Sequence, residues 1–92
     1  MKYHVLFDEY AKRQLKKLDK YVQKMILLWL KKYIDGCEDP RLHGKALSGN
    51  RAGQWRYRVG DYRIIAIIHD NELVVLVVNV GHRREVYQLK ST

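Results

Sequence analysis

The segment QWRYRVGDYR, residues 54–63, sets Arg56, Arg58 and Arg63 around the dipeptide Gly60-Asp61. A two-residue hairpin loop at that dipeptide brings Val59 opposite Tyr62 and Arg58 directly opposite Arg63, with Arg56 two residues along on the same face. Like charges facing each other across a sheet destabilise it. Such a patch is either an anion site, where a bound phosphate offsets the repulsion, or a solvated outer face whose long side chains fan apart. The interleaved Trp55, Tyr57 and Tyr62 have the opposite parity, shared with Val59, Ile64, Ala66 and Ile68. That parity assigns them to the face packed on the core, not to a base-stacking surface.

A second reactive cluster is GHRREVY, residues 81–87. Arg83 and Tyr87 are four apart, so they share a face whether the segment is extended or helical. Neighbouring positive charge favours the phenolate form of a tyrosine, and histidine is the side chain that ordinarily titrates near neutrality. Tyr87 and His82 are therefore the proton-handling candidates. Taken singly, a tyrosine near a terminus is more often a packing residue and a lone histidine a surface group; the combination is what singles them out.

Other chemistries find little support. The one cysteine, Cys37, and the four histidines, His4, His43, His69 and His82, show no metal-ligand spacing. Cys37 has Glu38 and Asp39 beside it, which disfavour a thiolate, and reads as structural. With 18 Lys and Arg against 10 Asp and Glu, the formal charge of +8 favours nucleic acid, an acidic protein or anionic lipid as partner. The apolar runs at 25–30 and 73–78 are far short of a membrane span, and no secretory leader is expected. A cytoplasmic protein without membrane contact is expected, and a single cysteine suits that reducing compartment.

The elements that must position these residues follow from periodicity. Residues 3–7 predict a strand, and Asp8 can cap a helix carrying Ala11, Leu15 and Leu18 at helical spacing. Val22, Met25, Ile26, Trp29, Tyr33 and Ile34 predict a second helix, stopped by Gly36 with Pro40 beyond. Residues 42–52 have no sustained period and predict a long connecting loop. From residue 54 the period becomes two, predicting strands at 54–59, 62–69 and 72–80 with turns at Gly60-Asp61 and Asp70-Asn71. The chain is thus expected to be one α+β domain over residues 1–92, ordered β-α-α-β-β-β. A helical hairpin would pack on one face of an antiparallel sheet and leave the other face open.

WRYRVGDYRII, the hydrophobic strand after it and VGHRREVY, together with LKKL at 15–18 and GKAL at 44–47, resemble the RelE toxins of bacterial toxin–antitoxin pairs, in the RelE/ParE superfamily. The resemblance spans nearly the whole chain. It implies a ribosome-dependent endoribonuclease that cuts mRNA in the A site, without metal or cofactor, by attack of a ribose 2′-hydroxyl on the adjacent phosphate. In that role Arg63 and Arg83 would stabilise phosphate charge, with Arg84 the alternative to Arg83, and Tyr87 would take or orient the 2′-hydroxyl proton. Arg56, Arg58, Arg84 and Lys45 would bind RNA. Arg56 and Arg58 stand where the best-known relatives have lysines, and arginine gives up a proton far less readily. His82 is therefore the expected acid for the leaving group.

The resemblance also implies a RelB-like antitoxin as partner, ribosome and mRNA as targets, and promoter DNA contacted only through the antitoxin complex. Arg13, Lys17, Lys20, Lys24 and Lys31 on the helices would grip ribosomal RNA or simply be solvated. Two rivals remain: a ParE-like inhibitor of DNA gyrase without ribonuclease activity, and a non-catalytic basic RNA-binding domain. Arg63, Arg83 and Tyr87 occurring together favour the RelE reading.

Overall fold

The computed structural model describes residues 1–84. Strand β1 (His4–Phe7) runs into Asp8, whose Oδ1 accepts the Ala11 amide at 2.8 Å and starts α1 (Glu9–Lys16). Asp19 does the same for α2 (Lys20–Tyr33), accepting the Tyr21 amide at 3.1 Å. The expected loop contains a two-residue strand, β2 (Lys45–Ala46), and a 3₁₀ turn (Gly49–Arg51). Strands β3 (Trp55–Val59), β4 (Tyr62–His69) and β5 (Val74–His82) complete the chain. Among the described residues no helix is long and apolar enough to cross a membrane.

The sheet order is β1-β5-β4-β3-β2, and the expected all-antiparallel sheet is in fact mixed: β1 lies parallel to β5, from His4↔Val74 to Phe7↔Val77. Alternation reports which face a residue takes but not the direction of its strand, so the periodicity could not show this. Where β1 ends, α1 continues the edge. Gln14 Oε1 accepts the Val80 amide at 2.8 Å, and its Nε2 donates to Asn79 Oδ1 at 2.9 Å.

Ala11, Leu15, Ile26 and Leu30 of the helices, with Ile34 just past the end of α2, pack on Tyr57, Val59, Ile64, Ala66, Val75, Val77 and Val80. The interleaved aromatics thus fall as expected, with Tyr57 buried and Trp55 and Tyr62 partly buried against the same core. The turn before β5 is longer than expected: residues 70–73 form it, with Leu73 at φ 56, and the strand starts at Val74. A bulge follows, for Ile65 pairs with Asn79 but Ala66 with Val77, leaving Val78 without a partner in β4.

Asp70 in that turn accepts Arg41 Nη1 and Nη2, each at 3.0 Å, and the Tyr3 hydroxyl at 2.6 Å. The clamp ties the β1 end, the loop after α2 and the β4–β5 turn together. These donors favour the carboxylate, Arg41 most, and hold Asp70 down to a pKa of about 2. The folded value lies below the ordinary one of about 4. The stabilisation is therefore complete above about pH 4 and lost as pH falls toward about 2. Because both side chains are roughly half exposed, the effect is modest. Thermal melts across this range should show an acid limb that Asp70→Asn reduces; an unchanged limb would assign the acid sensitivity to other carboxylates.

Candidate active site

The β3–β4 hairpin forms as its sequence demands. Gly60 alone of the two loop residues has positive φ (60°), as a type II′ turn requires. Val59 pairs with Tyr62 and Arg58 with Arg63. On the face away from the helices this register builds two rows. One holds Arg58, Arg63 and, on β5, Gly81; the other holds Lys45, Arg56, Ile65 and Asn79. Arg58 and Lys45 are exposed, Arg56 and Arg63 are half-buried, and Gly81 beside Arg63 contributes no side chain. Lys45 and Arg58 have no ion-pair partner among the described residues.

Lys45 owes its place to the loop before it. The buried Tyr57 hydroxyl donates to the Pro40 carbonyl at 2.6 Å, and Trp55 Nε1 donates to the His43 carbonyl at 2.7 Å. Burial pushes the Tyr57 hydroxyl far above its ordinary pKa, so it stays a donor. Trp29, Tyr33 and the His43 ring pack together at centroid distances of 5.1–5.8 Å. Gly44, at φ 80°, lies flat on β3, where a Cβ would collide with the Arg56 carbonyl and come within 2.8 Å of Trp55 Nε1.

The C-terminal candidates divide. The Arg83 amide donates to the Asp61 carbonyl at 2.9 Å, which sets the exposed Arg83 beside the hairpin turn next to the arginine row. Arg84 is exposed one residue on. His82 does not join them. It pairs across from Tyr62, their rings meet edge to face at 5.6 Å, and its Nδ1 accepts the Arg84 amide at 3.3 Å. Its side chain therefore takes the parity of Tyr62, opposite to that of Arg63. Tyr87 lies outside the described residues.

Two residues escaped the sequence reading: Asn79, buried on the arginine face, and Gln14, which holds it. A single Asn inside the apolar run LVVLVVNV was the available signal for the first; helical spacing gives none for the second. The basic residues Arg13, Lys17, Lys20, Lys24 and Lys31 are all exposed on the helices. What the sheet face offers chemically is a dense field of fixed positive charge with guanidinium geometry, suited to gripping and neutralising phosphate oxygens.

A two-helix α+β domain with a five-stranded mixed sheet is the architecture of a class of small protein toxins. The model of the ParE toxin of type II toxin–antitoxin systems (parDE) matches residues 5–87, and the chain belongs to this toxin family. Its relatives are of RelE type. Toxin RelG of Mycobacterium tuberculosis is 31% identical over 88 residues, 96% of this chain and 99% of that one. The mRNA interferase toxin RelE of Escherichia coli K12 is 32% identical over 90 residues, covering 95% and 92%. Among solved structures, the toxin–antitoxin complex RelBE2 of Mycobacterium tuberculosis superposes with a TM-score of 0.79 at 28% identity, over 90% of this chain and 93% of that one.

Proposed function

We propose that this toxin is an endoribonuclease that cuts mRNA in the ribosomal A site by attack of a 2′-hydroxyl on the adjacent phosphate. The observation that carries the reading is the opposed pair Arg58↔Arg63 on the sheet face away from the helices, with Lys45 and Arg56 in the next row. A fold tolerates such repulsion at little cost to function when an anion relieves it on binding. The transition state gathers charge on the non-bridging oxygens, and Arg63 and Arg83 would meet it there without a metal. Arg56, Arg58, Arg84 and Lys45 would hold the RNA backbone, and Tyr87 would take or orient the 2′-hydroxyl proton. Relatives named as mRNA interferases support this reading.

An antitoxin of RelB type would hold the toxin inactive and carry the pair to promoter DNA, as the solved antitoxin–toxin complexes of its neighbours support. An acidic antitoxin segment suits a chain of charge +8. Toxin released in the cytoplasm would meet the ribosome, where the exposed helix cations can track ribosomal RNA.

The family model carries the ParE name, which favours one rival: inhibition of DNA gyrase. Primer extension on an mRNA translated in a purified bacterial system separates the two. Cuts inside codons that need both this protein and ribosomes are expected. Intact mRNA together with blocked gyrase supercoiling would replace this reading by the rival.

A further inference from the structure

We propose that Lys45 is the general acid of the cleavage, giving a proton to the departing 5′-oxygen; the assignment rests on the ribonuclease reading above. The reaction forms a bond from the 2′-oxygen to phosphorus, its hydroxyl proton passing to the general base, and breaks the bond from phosphorus to the 5′-oxygen. It leaves a 2′,3′-cyclic phosphate and an alkoxide that must be protonated. The proton moves from the Lys45 ammonium to that oxygen, and the resulting amine regains one from solvent.

The cations of the face differ in chemistry. Its other described cations, Arg56, Arg58 and Arg63, are guanidinium groups, which hold their protons more tightly than an alkylammonium by about 2–3 pKa units. His82, the acid expected from the sequence, turns toward Tyr62 on the opposite face. Lys45 is thus the ammonium group among the cations described on this face.

Position agrees with chemistry. Lys45 pairs directly with Arg56, and Arg63 is two residues from Ile65, the next partner in that row. Strand spacing of about 4.8 Å and a two-residue rise of about 7 Å put the Lys45 and Arg63 Cα atoms about 12 Å apart. Two long side chains reaching toward one phosphate span that gap. The side chain of Lys45 is exposed, while the backbone beneath it is pinned by the Trp55–His43 hydrogen bond and the close packing of Gly44. From that fixed backbone the long side chain can reach hydrogen-bond distance of a leaving oxygen.

The test uses ribosomes programmed with mRNA carrying either the ordinary scissile linkage or one with sulfur in place of the 5′-oxygen, since a thiolate leaves without protonation. Lys45→Ala should cut the ordinary linkage about 10²–10⁴-fold more slowly than wild type. Lys45→Arg should lose nearly as much despite keeping the charge. On the sulfur linkage Lys45→Arg, which keeps the cationic RNA contact, should come within a few-fold of wild type, and Lys45→Ala should lose far less than on the ordinary linkage. Wild-type rates for Lys45→Arg on the ordinary linkage would overturn the proposal in favour of a charge contact. Equal losses on both linkages would overturn it in favour of a binding or folding role. Wild-type protein that cuts neither linkage would overturn the ribonuclease reading and this assignment with it.

Discussion

Arg63→Gln is expected to slow mRNA cleavage on programmed ribosomes by about 10²–10³-fold, the usual loss when one preorganised donor to transition-state charge is removed. The effect should fall on the single-turnover rate more than on ribosome association, because the guanidinium acts where charge develops on phosphate. Arg63 lies directly across from Arg58 and beside Gly81, which contributes no side chain of its own. Arg58→Gln supplies the sign that distinguishes a functional arrangement from a solvated face. Arg58 is exposed and opposes a like charge, so its removal relieves repulsion, and the variant should melt no lower than wild type. Cleavage should nonetheless fall. Loss of stability without loss of cleavage would show that the pair serves the sheet and not the reaction.

Gly44→Ala is expected to destabilise the protein by about 2–5 kcal/mol, combining the cost of a left-handed conformation with that of overpacking. Gly44 sits at φ 80°, and its missing side chain is what lets the loop lie against β3. An added Cβ meets the Arg56 carbonyl, a backbone atom that cannot rotate aside. Relief would come only by lifting residues 43–46 off the sheet, which breaks the Trp55–His43 hydrogen bond and the Lys45↔Arg56 pairing. Denaturant melts should show the loss, and cleavage should drop beyond what the folded fraction explains, because Lys45 moves with its strand. The neighbouring Gly49 and Gly53 also have positive φ but open space around them, so alanine there should cost only the conformational part.

The sequence made the β3–β4 hairpin legible because a Gly-containing two-residue loop fixes register, and register with period two fixes faces. That is why Arg58↔Arg63 and the inward aromatics could be placed before any coordinates. The β4–β5 register could not. A plain two-residue turn at Asp70-Asn71 would set Arg63 opposite Val78 and give His82 the arginine parity. The longer turn and the bulge at Ile65/Ala66 instead bring Gly81 opposite Arg63. The shift of three residues, from 78 to 81, is odd, so His82 lands on the other face. Bulges leave little trace in alternation, since Val77, Val78 and Val80 are interchangeable to any pattern of apolar residues. The parallel β1 and the brief β2 were hidden for related reasons. Direction is not encoded in periodicity, and two paired residues are too few to show any.

The most direct test of 2′-hydroxyl attack replaces that hydroxyl by hydrogen at the nucleotide 5′ to the cut, in an mRNA bound to programmed ribosomes. With this protein added, the ordinary mRNA should yield fragments ending in a 2′,3′-cyclic phosphate and beginning with a 5′-hydroxyl, while the deoxy-substituted mRNA should stay intact at that site. Cleavage of the substituted mRNA, or fragments beginning with a 5′-phosphate, would contradict the mechanism assigned to the arginine face.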